Sequence, residues 1–340
     1  MYLPPVNLIR TIASHLLVTD LCFQFGRLPL DVRGYSGSKA VAPDYSKLSL
    51  AGQLAAKNGH HSQNTKQGNI EHMTVPEKSE WRWLETVKDL LKELTSRVQD
   101  SDSTALCDTF PFLDSANESL ETLEWLVSHM RLRDAYVISR VIYETLLNAC
   151  FITTDRQVLG LRAHTHAQQK ALRGLVRAIE ISGEKIFEHK PDGVEEIMNM
   201  PLHKKWLDEF TSRSGREVTS WTPENVSKRL EVIHEAFGLN KSRGFAFGLL
   251  LYRYSSEIAH GTLFGTMFSW GAMEIGKPLS GPKDMAVFRK KELQHLMKLL
   301  AYSIESAIKI ISALLGDETL SDRAIQARAD FYGSREEKSS

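Results

Sequence analysis

The sequence predicts an all-α protein: a bundle of about six to eight helices over residues 76–316. Three observations support this fold class. Apolar residues recur at helical spacing in several segments, one segment is apolar on nearly every side as a central helix is, and no convincing series of strands appears. Of the 340 residues, 42% are hydrophobic, which is enough for a sizeable core.

Charge and cysteine content narrow the functional classes. The formal net charge is zero, so any surface that attracts nucleic acid must be local. No run of about 18 uncharged apolar residues occurs, and we therefore expect no membrane span. The three cysteines are far apart and form no CxxC pair, which argues against a disulfide framework and favours a cytoplasmic location.

The two ends of the chain differ in composition from the predicted bundle. Residues 8–25 could form a short helix. The residues that follow are rich in glycine, serine, asparagine and glutamine, a composition that buries little surface and predicts disorder for the segment 1–75. Met73 opens the globular sequence, and we hypothesise that the natural product starts there. The charged residues 317–340 are predicted to form a flexible tail.

Periodicity places the first helices. Apolar spacing predicts a helix from about Trp81 to Gln99, a polar loop over residues 100–114, and a second helix over residues 115–130. Residues 135–152 are apolar on nearly every side and predict the central buried helix. Its polar residues Arg140, Glu144 and Asn148 follow at steps of four and form one stripe, either an intrahelical pair or the wall of a site.

The next helix, predicted over residues 155–181, has a cationic face. Its stripe comprises Arg162, His166, Lys170, Arg173 and Arg177. Such a stripe suits the phosphates of a nucleic-acid substrate, although a basic face on an amphipathic helix is also typical of a solvated surface. Both interpretations remain open from the sequence.

Four further helices are predicted in addition to the helix that carries the candidate site. Two short ones are predicted over residues 193–200 and 201–211. Thr222 and Pro223 suit the cap and first position of another helix, which ends at Gly238. A long amphipathic helix over residues 285–315 is predicted to end at Gly316.

The best candidate site lies in residues 248–261. This stretch is apolar enough to be buried, yet Arg253, Glu257 and His260 fall within about 60° on one face. Burying charge is costly unless it is paired or used, and Tyr252 and Ser256 lie beside these residues. Two structural interpretations stay open beside the functional one: a closed network of Arg140, Glu144, Arg253 and Glu257, and a core His260 hydrogen-bonded to Glu144 or to a backbone carbonyl.

The spacing Glu-x-x-His, which di-iron bundles use, occurs three times. Glu231 and His295 are predicted to point away from the apolar faces of their helices. Only the pair Glu257–His260 lies on a helix predicted to be buried, so we expect no metal site and no other cofactor.

A metal-free reaction fits the same helix. Arg253 and His260 give R-x6-H, which resembles the signature of the HEPN superfamily, whose helical domains often act as ribonucleases. Tyr254 stands where those enzymes usually carry Asn, Asp or His, and six is the long limit of their spacing. A histidine moves protons near neutral pH and an arginine holds phosphate. The resemblance implies RNA as substrate and pairing of two sites in a homodimer.

A broader resemblance covers roughly residues 130–261. The segment 139–148, Trp221 before a helix, and the run from Tyr252 through Ser255 to His260 are similar to an uncharacterised, mainly bacterial helical family of unknown function. The resemblance implies that the two polar helices line one site, and it implies no reaction.

Our leading hypothesis is a HEPN-like protein that binds or cleaves RNA in stress or defence. Its catalytic set is Arg253, His260, Glu257, Arg140 and Glu144. Its substrate-binding set is Arg162, His166, Lys170, Arg173, Arg177, Asn148, Tyr252 and Ser256. The alternative is a non-catalytic binding or assembly module whose polar network is structural, so whether the chain is an enzyme stays open.

Overall fold

The computed structural model describes residues 78–101, 103, 106–268 and 281–336. Of these residues, 78% are helical, and they include eleven α-helices and one two-stranded sheet, so the predicted all-α class is confirmed. The helices are α1 Lys78–Asp100, α2 Phe110–Ser128, α3 Leu132–Thr154, α4 Leu161–Leu175, α5 Val194–Asn199, α6 Pro201–Glu209, α7 Val226–Phe237, α8 Leu239–Ala259, α9 Leu263–Met267, α10 Pro282–Leu315 and α11 Thr319–Glu336. A π-helical turn, Arg156–Gly160, joins α3 to α4, and the strands are β1 Arg177–Ile181 and β2 Glu184–His189. The predictions for residues 1–75 and Met73 lie outside the described residues.

Helix α3 is the central element, as its composition predicts. It packs against α2, α7, α8 and α10. By length and composition α3 could cross a membrane, alone among the helices of the described ranges, yet 61% of its most apolar window is buried inside the structure. A core helix of a soluble protein has the same properties.

The C-terminal part differs from the prediction after Gly316. The long helix α10 is 34 residues and ends, as expected, at Gly316 with a φ of 71°. The expectation of a flexible tail is wrong over α11, which packs on α1 and α10. Leu320 and Phe331 of α11 are buried, and the Phe331 ring stacks on Trp83 with centroids 4.9 Å apart. These few apolar residues anchor an otherwise charged helix.

The predicted helix over residues 155–181 ends early. Residue Val176 is extended, and strands β1 and β2 form an antiparallel hairpin through Ser182 and Gly183, which both have positive φ. Such a two-residue turn matches the twist of a hairpin. The alternation of Ile179 and Ile181 with polar residues is the strand signal that the helical prediction overlooked. Every residue of both strands is exposed.

Two helix starts also differ from the prediction. Helix α2 begins at Phe110, five residues early, because Pro111 is tolerated in a first helical turn. Helix α7 is capped by Asn225, whose side chain accepts from the Lys228 amide at 2.9 Å. Thr222, the predicted cap, forms a local turn with Glu224 instead. The short helices α5 and α6 and the end of α7 at Gly238 agree with the prediction.

Candidate functional site

Helix α8 carries the predicted site, and two glycines bring it close to its neighbours. At Gly244 an added Cβ would overlap the Tyr302 carbonyl of α10, and at Gly248 it would overlap the Tyr143 ring of α3. The Tyr143 hydroxyl also donates to the Phe245 carbonyl at 3.0 Å. These contacts fix which face of α8 turns inward.

The inward edge of α8 meets the polar stripe of α3. Arg140 Nε donates to Glu144 Oε1 at 3.2 Å, and Arg140 Nη1 donates to Ser256 Oγ at 3.4 Å. The Arg140 guanidinium lies over the Tyr252 ring, 4.9 Å from its centroid. The structure therefore brings together Arg140, Glu144, Tyr252 and Ser256, as the two stripes led us to expect.

A third helix joins this cluster through Arg229 of α7. Arg229 Nη1 donates to Asn148 Oδ1 at 2.7 Å and Arg229 Nε donates to the Glu224 carbonyl at 2.9 Å. Burial lowers the pKa of Arg229, and the nearby Glu144 and Tyr252 oppose that shift. The Asn148 side chain, which was predicted to bind substrate, thus binds the Arg229 side chain of the same protein.

Sequence reasoning missed Arg229, although a signal was present. Arg229 is flanked on its helix by Val226 at i−3 and Ile233 at i+4, which are both buried. Positions three and four apart share a helix face, so a charged residue there points at the core and needs a partner.

Arg253, Glu257 and His260 share one face of α8, but that face is exposed. The opposite face packs inward through Leu251, Ser255 and Ile258. The expectation that these charges are buried is therefore wrong, and so are the closed four-residue network and the core histidine. The prediction of burial rested on the apolar composition of α8, which carries leucines on both sides, and Leu250 is itself exposed.

The exposed residues differ in their contacts. Glu257 Oε2 accepts from the Thr262 hydroxyl at 2.9 Å, just beyond the helix end. His260 caps α8, and its backbone amide donates to the Ser256 carbonyl at 3.0 Å. Across the described ranges, no hydrogen bond or ion pair engages the side chain of Arg253 or of His260.

The basic stripe of α4 is largely engaged by the segment that follows α6. Arg162 Nε donates to the Trp221 carbonyl at 2.7 Å, and its guanidinium lies 5.1 Å from the centroid of the Phe210 ring. His166 Nε2 donates to the Thr219 carbonyl at 3.2 Å, and burial lowers its pKa. These donors hold the loop beside α4.

The remaining members of the stripe complete this attachment. Arg173 Nη2 donates to the Thr211 hydroxyl at 2.7 Å and to the Leu207 carbonyl at 3.2 Å. Lys170 pairs with Glu217, and Arg177 lies beyond the helix on β1. The predicted continuous cationic surface is therefore wrong: the stripe binds its own chain.

A second polar cluster, which the sequence did not reveal, lies where α4 begins. Asp108 accepts from Arg156 Nε at 3.0 Å and from His164 Nε2 at 2.9 Å. The hydrogen bond to Asp108 raises the pKa of His164 and lowers that of Asp108. Burial raises the pKa of the adjacent Cys107 thiol, which disfavours the nucleophilic thiolate.

In the two other Glu-x-x-His pairs, Glu231 and His295 are exposed, as predicted, whereas His234 Nδ1 lies 3.2 Å from Ser242 Oγ of α8. Glu231 is exposed and pairs with Lys228 at 2.8 Å, and the half-exposed ring of His295 lies 3.6 Å from Glu292. In the part of the chain that the structure describes, no group of three His, Cys, Asp or Glu residues could hold a metal ion.

Comparison with known proteins gives one family and no function. No curated protein and no solved structure matches the chain. Residues 109–274 match the model of a family of unknown function, DUF5677. This segment contains the α3, α7 and α8 cluster together with the exposed face of α8, and it includes the residues on which the resemblance was based. The predicted likeness to an uncharacterised helical family is therefore confirmed: residues 109–274 form a region of the DUF5677 type.

Proposed function

We propose that the protein binds RNA and cleaves it without a metal ion at the exposed face of α8. One observation carries the proposal: Arg253 and His260 project from the same exposed face, and neither side chain is held by the described residues. Their neighbours Tyr252 and Ser256 are anchored against α3. A rigid helix thus presents two uncommitted groups.

The chemistry of these groups suits a phosphodiester. The seven steps from Arg253 to His260 correspond to about 10 Å along a helix axis, so the arginine holds a phosphate while the histidine works at the adjacent linkage. In the proposed reaction the 2′-oxygen bonds to phosphorus as its proton is removed. The bond to the 5′-oxygen breaks and that oxygen takes a proton. His260 and Glu257 supply the proton acceptor and donor, which leaves a 2′,3′-cyclic phosphate and a 5′-hydroxyl.

Exposed apolar residues beside the face support a homodimer as part of the proposal. Leu250 lies one turn before Arg253, and Leu263 and Met267 follow on α9; all three are exposed. Covering them with a second copy would enclose the site and strengthen its electrostatics. A cytoplasmic location is consistent with Cys150, which is buried and forms no disulfide.

The test is cleavage of mixed-sequence RNA in the presence of EDTA. We expect activity in the wild type, and a loss of at least about a hundredfold in His260→Ala, since general acid–base catalysis contributes 10²–10⁴-fold. Arg253→Ala should lose activity too. His189→Ala and Arg133→Ala, which change exposed residues elsewhere, are the matched controls and should cleave normally. Inert wild type, or equal cleavage by His260→Ala, would refute the reaction.

A second candidate is a non-catalytic assembly module. The observation in its favour is that Arg140 is used within the protein, since Glu144, Ser256 and Tyr252 surround its guanidinium. In that case the exposed face of α8 is a solvated surface or a contact between copies. RNA assays separate the two: both candidates allow Leu250→Asp to change the oligomeric state in sedimentation, but the module predicts that no RNA is bound or cut.

A further inference from the structure

A cavity of about 520 Å³ lies at the other end of α8, between α10 and α11. Its walls include Arg243 and Phe247 from α8, Glu305 and Lys309 from α10, and Arg328 and Tyr332 from α11. The volume falls within the range of about 300–1,000 Å³ that is usual for small-molecule sites. Eight of the thirteen lining residues come from α10 and α11, which lie beyond the family match.

A buried charged cluster forms one wall of the cavity. Glu305 is 2% exposed, and its Oε1 accepts from Lys309 Nζ at 2.7 Å and from Arg328 Nη1 at 2.8 Å. Lys309 is only 9% exposed and also donates to the Asn240 carbonyl. Burying Glu305 and Lys309 is costly for stability alone, whereas the Arg328 side chain is 33% exposed and can reach a ligand in the cavity.

One acceptor in the cluster remains unused. Glu305 Oε2 is buried and has no hydrogen-bond partner among the described residues. A buried acceptor without a partner is destabilising. Because the terminal torsion of glutamate is soft, a small rotation brings this oxygen to an N–H or O–H donor that enters the cavity.

The cavity has an excess of positive charge. Four cationic side chains and one carboxylate line it, and Lys241 is engaged 3.7 Å from Glu318. Arg243 is exposed and has no ion pair within the described ranges. Two positive charges therefore remain uncompensated, which matches a phosphate monoester carrying −1.5 to −2 charges near pH 7.

Aromatic rings form the other wall. The Phe247 and Tyr302 rings are 4.9 Å apart, and the Tyr302 and Tyr332 hydroxyls are 2.5 Å apart. The Arg243 guanidinium lies 5.6 Å from the Phe247 ring centroid. Aromatic faces and arginine planes stack on nucleobases, so this wall suits a flat heterocycle rather than an aliphatic ligand.

We propose that this cavity binds a nucleoside 5′-monophosphate. Arg243, Lys309 and Arg328 hold the phosphate, Phe247 and Tyr302 hold the base, and Glu305 accepts from a base amino group or a ribose hydroxyl. The site is separate from the proposed cleavage face, because Arg243 and Arg253 are ten residues, or about 15 Å, apart along α8. The proposal of nucleotide binding therefore does not depend on the proposal of RNA cleavage.

The test is calorimetric titration of the full chain with AMP, GMP, CMP and UMP in turn. Inorganic phosphate and the free nucleosides are separate arms. We expect at least one nucleotide to bind at one site per chain, at least about tenfold more tightly than phosphate or its own nucleoside, since a further set of contacts worth 1.4 kcal/mol gives that factor.

The variants locate the site. Arg243→Ala changes an exposed residue and should weaken nucleotide binding about tenfold, as loss of a charge-assisted hydrogen bond does. Phe247→Leu should lower the affinity for nucleotide but not for phosphate. The matched control is Arg133→Ala, which changes an exposed arginine outside the cavity and should bind normally.

Three outcomes would overturn the proposal. One is that none of the four nucleotides binds. Another is that phosphate binds as tightly as every nucleotide, which would make the cavity a simple anion site. The third is that Arg253→Ala weakens binding, whereas Arg243→Ala and Phe247→Leu bind normally and have wild-type circular dichroism. That result would place the ligand on the cleavage face.

Discussion

Gly248 of α8 lies directly against the ring of Tyr143 on α3, with no room for a side chain between them. An added Cβ would overlap the ring carbons and would lie 2.6 Å from Ser303 Oγ on α10. The close packing of α3, α8 and α10 at this point therefore requires a residue without a Cβ atom at position 248.

Gly248→Ala should lower the free energy of unfolding by about 1–3 kcal/mol, because the added methyl group overpacks a well-packed core. This cost outweighs the gain in helix propensity, which is at most about 1 kcal/mol. The measurement is urea unfolding. The matched control is Gly333→Ala in α11, where a Cβ meets nothing within 4 Å. That change should stabilise by about 0.5–1 kcal/mol. Equal effects at both glycines would contradict this packing.

Arg140→Met should destabilise the protein more than Glu144→Met, because Arg140 also contacts Ser256 and Tyr252. The Arg140 and Glu144 side chains are 20% and 33% exposed. A double-mutant cycle by urea unfolding should therefore give a coupling of only about 0.5–1 kcal/mol for the pair.

Arg253→Met, on the exposed face of α8, is the control for the Arg140 cycle and should change stability by less than about 0.5 kcal/mol. A large loss there would mean that the face is buried after all.

Arg173→Met should destabilise the protein by about 1.5–3 kcal/mol, as loss of hydrogen bonds to a charged group does. It should also speed proteolysis within residues 207–221, because Arg173 holds the Leu207 carbonyl and Thr211. The matched control is Arg177→Met on the exposed strand β1. Limited proteolysis followed by mass spectrometry checks both. Unchanged cleavage sites in Arg173→Met would contradict a structural role for the basic stripe.

The Asp108–His164 pair should make stability depend on pH. The raised pKa of His164 means that its contribution is fully present below the unfolded value of about 6.5 and is lost as pH rises through the higher folded value. The lowered pKa of Asp108 means that its contribution is present above about pH 3.9 and is lost as pH falls through the lower folded value. The pair is therefore fully effective between about pH 4 and 6.5.

Comparison of the wild type with His164→Gln in urea at pH 5 and pH 8.5 tests this. The difference should be greatest at pH 5 and should stay below about 1 kcal/mol, since the His164 side chain is 66% exposed and solvent screens the pair. A difference that grows with pH would have the wrong sign for this pairing.

Local signals predicted most of the helices. The turn positions Gly238 and Gly316 end α7 and α10 because both adopt positive φ, which glycine permits. The hairpin was missed because β1 continues a basic amphipathic helix without a proline or a polar break. Its isoleucines are exposed, so no burial pattern reinforces the strand.

The candidate site was predicted in part. The adjacency of Arg140 and Tyr252 followed from two polar stripes on apolar helices. The engagement of Arg162 and Arg173 did not, since their partners are backbone carbonyls about 34 to 59 residues away. Backbone acceptors have no signature in a sequence.

The sequence by itself determined the helical class, the ends of the long helices, and the single face that Arg253, Glu257 and His260 share. Only the tertiary structure decided that this face is exposed. Leucines lie on both sides of α8, so its hydrophobic pattern does not select an orientation. The close contacts of Gly244 and Gly248 with α10 and α3 do. The cavity between α8, α10 and α11 likewise exists only because residues as distant as Arg243 and Arg328 meet when α11 folds back on α10.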